Sequence, residues 1–182
     1  MKYLCGFGLV FAVLLVGSSA DAEWEADSGD KVQVNAARAI ADFRERLPRT
    51  EHYFEQAYGY AILPSVTRAG FGFGAAYGKG IVIRGDGAIG RTKFWQFSSG
   101  IQAGAKNFSM IVFFKDKQAL DYFKKGELQF MGQAGLAFAK AGVAGTPAYN
   151  DGVAIVTMVR FGLMGEFAAA GGKFSYKPIS DE

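Results

Sequence analysis

Apolar residues change their spacing once along this chain, and the change divides it into a helical beginning and a sheet-forming remainder. Val32, Ala36, Ala39, Ile40, Phe43 and Leu47 recur every three or four residues, so a helix carries them on one face. Asp30 is the predicted N-cap of that helix and Pro48 its stop, with Arg38, Arg44, Glu45, Arg46 and Arg49 mostly on the outer side. Thr50 is placed to cap a shorter helix over 51–58, which Gly59 would end through a left-handed C′ position. Amphipathic helices of this kind dock on a sheet of their own chain more commonly than on a membrane.

From Tyr60 onward the period is two. Between Ala69 and Ile83 the odd positions carry Phe71, Phe73, Ala75, Tyr77, Lys79, Ile81 and Ile83, and the even positions Gly70, Gly72, Gly74, Ala76, Gly78, Gly80 and Val82. One face of this strand is therefore large and the other nearly bare backbone, which admits a close neighbour or a sharp bend. Arg84, Gly85, Asp86 and Gly87 supply turn chemistry, and 89–97 returns as the hairpin partner. Further strands are predicted over 97–105, 109–114, 128–139, 153–160 and 161–174. A short helix opened by Asp116 and ended by Gly126 turns Ala119, Leu120 and Phe123 inward. The pattern predicts an α+β fold, with N-terminal helices packed on a curved antiparallel β-sheet or a small β-barrel.

The beginning of the chain reads as an address rather than as structure. A basic Met1-Lys2 start, an apolar run from Tyr3 to Val16 and an Ala20-Asp-Ala22 ending make residues 1–22 a predicted cleaved signal peptide. The apolar run is shorter than the ~20 residues of a spanning helix. Cleavage after Ala22 leaves one domain over residues 23–182 and removes Cys5, the lone cysteine, so the exported protein needs no disulfide chemistry. A periplasmic or envelope-associated location follows.

Composition then separates the two halves. Residues 23–60 carry a net charge of −3 and residues 61–182 a net of +6, so the glycine-rich part is the basic part. That balance suits an anionic partner. One histidine and one cysteine are too few for a zinc cage, and no metal or other cofactor is expected.

Four ordered motifs carry a family resemblance. The stretch Tyr58-Gly-Tyr-Ala-Ile-Leu-Pro64 followed by Gly70-Phe-Gly-Phe-Gly-Ala-Ala-Tyr-Gly-Lys-Gly80 resembles the signature of the SYLF domain family. Gly100-Ile-Gln-Ala-Gly-Ala105 is similar to that family's "GxQxGA" strand, Lys115 to Phe123 to its "A-L-x-x-F" helix, and Gly162 to Gly172 to its closing glycine-rich strand. The resemblance spans about residues 32–177. It implies lipid association, which eukaryotic members direct at phosphoinositides and couple to actin. Two departures matter: the exported N-terminus, Glu23 to Asp30, is acidic where the eukaryotic lipid contact is a basic helix, and a secreted bacterial protein meets no actin. Lys79 is the one basic position that the motif itself transfers.

Enzymatic readings find no support in the residue patterns. There is no Gly-x-Ser-x-Gly elbow, Phe73 and Gly80 break the phosphate-loop pattern around Lys79, and His52 has no partner in sequence. The expected function is a secreted, non-enzymatic lipid-binding module that recognises an anionic phospholipid or membrane surface, with no nucleic-acid partner. Its candidate lipid-binding residues are Arg68, Lys79, Arg84, Lys93, Lys115, Lys117, Lys124 and Lys125. An integral outer-membrane barrel and an envelope protein-interaction module are the alternatives.

Overall fold

The computed structural model describes residues 24–131, 136–139, 149 and 151–179. The leader and most of the linker after residue 139 lie outside the described residues.

Helix α1 spans Lys31–Arg46, and Asp30 caps it by accepting the Val32 N–H at 2.9 Å. Pro48 opens a 3-10 turn, Pro48–Thr50, and α2 follows over Glu51–Gln56. Two local expectations are corrected. Thr50 already has helical backbone angles and makes no side-chain cap; its hydroxyl donates to the Leu47 carbonyl at 2.7 Å. Nor does Gly59 adopt a positive φ, because it begins a strand, where a Cβ would sit 2.8 Å from the Ile83 carbonyl oxygen.

Three long strands replace the many short ones that the sequence pattern predicts. β1 spans Gly59–Arg84, β2 Gly87–Phe114 and β5 Val153–Pro178, with α3 (Lys117–Lys124), β3 (Gln129–Met131) and β4 (Leu136–Ala139) between the last two. The order is β1-β2-β5-β3, antiparallel throughout that path, while β4 adds to β5 in parallel over 155–158. The sheet is curved and open, not closed into a barrel. The glycines that suggested strand ends are bends within continuous strands. Gly72, at φ +72°, turns β1 back on itself.

The bare glycine face is filled by the protein's own backbone. A Cβ at Gly80 would lie 2.1 Å from the Ile62 carbonyl oxygen, and one at Gly78 would lie 2.6 Å from a Val66 methyl. The two arms of β1 thus run alongside one another, at a separation that side chains there would prevent.

Two cores stabilise this arrangement, one on each face of the sheet. On the inner face Leu63, Val66, Val82, Phe94, Met110, Phe114 and Phe174 pack with Ala119, Leu120 and Phe123 of α3. Asp116 caps α3 through the Ala119 N–H, and Gly126 follows it at φ +73°, as the sequence predicts. On the outer face Ile62, Ile81, Ile83, Ile111 and Phe113 pack under Ala36, Ile40 and Phe43 of α1, with Tyr53 stacked on Phe113 at 5.3 Å. Arg91, on the outer face of β2, donates to Asp30 at 2.6 Å and so ties the start of α1 to the sheet. Burial raises the Asp30 carboxyl, but the Val32 N–H and the Arg91 guanidinium outweigh it and hold the pKa below the ordinary aspartate value.

Candidate functional site

The register of the three long strands places the outward residues of the second β1 arm in rows. Lys79 stands opposite Lys93 and Ser175, Tyr77 opposite Trp95 and Lys173, and Ala75 opposite Phe97 and Gly171. Phe73 stands opposite Ser99, and Phe71, beyond the bend, opposite Ala103. Directly paired residues share a face of the sheet, so these rows form one continuous outer surface.

Among the described residues, the helices pack on this face only as far as the Ile81–Arg91 row. Lys79, Lys93 and Lys173 are exposed, Tyr77 is exposed and Trp95 half-buried. Further along, Phe97, Phe73 and Phe71 are 70%, 79% and 87% exposed. Phe161, on β5 opposite Asn107, is also exposed. Bare aromatic side chains are thus concentrated on one stretch of the outer face. Its polarity is graded: lysines nearest α1, amphipathic Tyr77 and Trp95 next, phenylalanines at the bend.

The eight candidate residues fall into three places. Lys79 and Lys93 lie side by side in the first open row. Arg84 at the hairpin turn belongs with Lys115, Lys117, Lys124 and Lys125 around α3, where its positive charge acts on Lys117 and Tyr176. Within that group Lys117 pairs with Asp121, which lifts the ammonium pKa and lowers that of the carboxylate. Lys124 lies 5.5 Å from the centre of the Tyr176 ring, and the Tyr176 hydroxyl donates to the Ile89 carbonyl at 2.8 Å. A shallow depression on this helix is lined by Lys117, Gln118, Asp121, Tyr122 and Lys125.

Arg68 is elsewhere. It points inward, 4% exposed, and its guanidinium donates to Gln96 at 2.9 Å, so it joins the inner face and stands apart from the outer rows of Lys79 and Lys93. The reason is parity: Arg68 shares the even positions with the glycines, which face the interior. Conversely, Lys173, Trp95, Phe71, Phe73 and Phe97 belong to the surface although the charge pattern alone did not select them. The aromatic alternation over 71–77 was the signal for Phe71 and Phe73. Only the β2–β5 register reveals Lys173.

His52 is exposed on α2, beside the Tyr53 ring. Among the described residues no three His, Cys, Asp or Glu side chains come together as metal ligands, and no helix is long and apolar enough to cross a membrane. No protein-family model matches the chain, and no curated protein matches it in sequence.

Proposed function

We propose that this protein is an exported, non-enzymatic module of the SYLF type that binds anionic phospholipid surfaces through the open outer face of its sheet. The carrying observation is the lysine row: Lys79 and Lys93 are paired neighbours, with Lys173 in the adjoining row, all exposed and backed by Tyr77 and Trp95. Clustered lysines beside amphipathic rings match the negative potential and the polarity of a bilayer interface. The group around α3 supplies further positive charge. Family membership rests on the four motifs, and export on the leader pattern of residues 1–22. An integral barrel requires a closed sheet, and this one is open.

Vesicle sedimentation tests the reading. Protein expressed with its own leader and recovered after export should sediment with phosphatidylglycerol-containing vesicles, only weakly with pure phosphatidylcholine, and less at high salt. Equal, negligible sedimentation with both vesicle types refutes it. Intact mass of the recovered protein tests cleavage after Ala22.

A further inference from the structure

The exposed phenylalanines have no role in headgroup attraction, yet Phe71, Phe73 and Phe97 are the most exposed large apolar side chains among the described residues. We propose that the bend is a membrane wedge: on an anionic bilayer Phe71, Phe73 and Phe97 enter the acyl-chain boundary, Tyr77 and Trp95 lie at the interface, and Lys79, Lys93 and Lys173 remain at the phosphates. This rests on the lipid-binding reading above and adds a depth and an orientation to it.

Three observations carry the inference. First, the order of side chains along the rows follows the polarity profile of a bilayer from headgroup to acyl chain. Lys173, level with the aromatic row at the β5 side, has a long enough stem to extend back toward the phosphates. Second, the spacing is suitable. Outward residues follow one another at about 6.7 Å along a strand, which puts Phe73 roughly 20 Å from Lys79. An inclined sheet brings that run within the ~5–10 Å to which interfacial elements sink. Third, backbone pairing resumes on both sides of the one register shift at the bend, between Phe71 and Phe73, and is unbroken on the β5 side. Gly70 pairs with Gly104, Phe71 with Ala103 and Phe73 with Ser99, while β2 residues 99–107 pair in unbroken register with β5. Paired amides enter an apolar layer at far lower cost than unpaired ones.

Charge selects the bilayer over a second copy of the chain as the occupant. Between Gly59 and Phe114 the hairpin carries Arg68, Lys79, Arg84, Arg91, Lys93 and Lys106 against Asp86 alone. Two copies joined by their bends bring like charges together, whereas an anionic surface is complementary.

Trp95 provides the reporter. The chain has two tryptophans, and Trp24 packs against the α1 and α2 core, so Trp24→Phe leaves Trp95 alone. On phosphatidylglycerol vesicles its emission should shift to the blue and be quenched more by lipids brominated near the headgroup than by lipids brominated deep in the chain. Phe71→Ser, Phe73→Ser and Phe97→Ser should each weaken partitioning about tenfold or more, the effect of withdrawing a ring from an apolar phase. They should leave the preference for anionic lipid in place. Sedimentation with anionic vesicles that is unchanged by these substitutions, with no Trp95 quenching, overturns the wedge while sparing the headgroup reading. A lipid-independent dimer that Phe73→Ser dissolves also overturns it, in favour of self-association. Failure of every variant and the parent chain to sediment defeats the underlying reading instead.

Discussion

The same strands meet two fates on their outer face. Near the chain's helices, Ile62, Ile81, Ile83, Ile111 and Phe113 are wholly buried under α1 and α2. Toward the bend, Phe71, Phe73 and Phe97 continue the outward apolar pattern into solvent. Length accounts for the difference. The 16 residues of α1 reach about 24 Å at 1.5 Å each, whereas each arm of the 26-residue β1 runs roughly 43 Å. A helix of that length can span at most about half an arm, and among the described residues none packs on the rows beyond Arg91. The comparison teaches that outward apolar residues in this sheet serve folding at one end and, on the reading proposed above, contact with lipid at the other.

Substitutions can break that comparison, beginning with the covered half. Phe43→Ala empties a fully buried site under α1 and should cost about 3–5 kcal/mol of unfolding free energy in urea titrations, with vesicle binding by the folded fraction intact. A loss below ~1 kcal/mol would show that α1 is not a structural cover. Gly80→Ala drives a methyl into the Ile62 carbonyl, part of the backbone, and should cost roughly 1–3 kcal/mol by the same measurement. Gly72→Ala meets no neighbour but forces a side chain to φ +72°, for about 1–2 kcal/mol.

Smaller effects sharpen the boundary between the two halves. Asp30→Ala removes the α1 cap and the Arg91 tie and should destabilise by about 1 kcal/mol. Because the folded Asp30 pKa is lowered, its contribution is complete above the unfolded aspartate value and disappears as pH falls through the folded one. Melting curves of the parent and Asp30→Asn should therefore differ near neutral pH, keep that difference down to the ordinary aspartate value of about 3.9, and converge only at pH well below it. Lys79→Gln and Lys93→Gln should each weaken binding to anionic vesicles by roughly fivefold, about 1 kcal/mol per lysine, and flatten its salt dependence. At the far end, Phe73→Ser should change unfolding free energy by no more than ~0.5 kcal/mol. A large loss there would place the bend among the folding residues and erase the distinction.

The sequence showed where helices begin and where the period changes. Asp30, Pro48 and Asp116 perform the local roles their residue types suggest, because capping and helix termination depend on a few adjacent residues. Strand length is not legible in the pattern, for an equally physical reason. Glycine at positions 72, 100 and 104 permits a positive φ, which ends a strand in one context and bends a continuous one in another, and the choice depends on partners far along the chain. Arg68 and Lys79 looked alike as basic residues near the glycine run. Parity separates them, sending Arg68 to Gln96 in the interior and Lys79 outward beside Lys93.

What the sequence by itself determined is alternation: large outward and bare inward residues along β1, a basic sheet half, and an amphipathic helix to lie on it. Alternation is local, set by the two-residue repeat of an extended backbone. Only the tertiary structure decided which outward residues α1 covers, that the bare face receives the strand's own other arm, and that Lys173 joins Lys79 and Lys93. Those outcomes depend on helix length against strand length and on pairing between residues about eighty positions apart, such as Trp95 and Lys173, which no local repeat encodes.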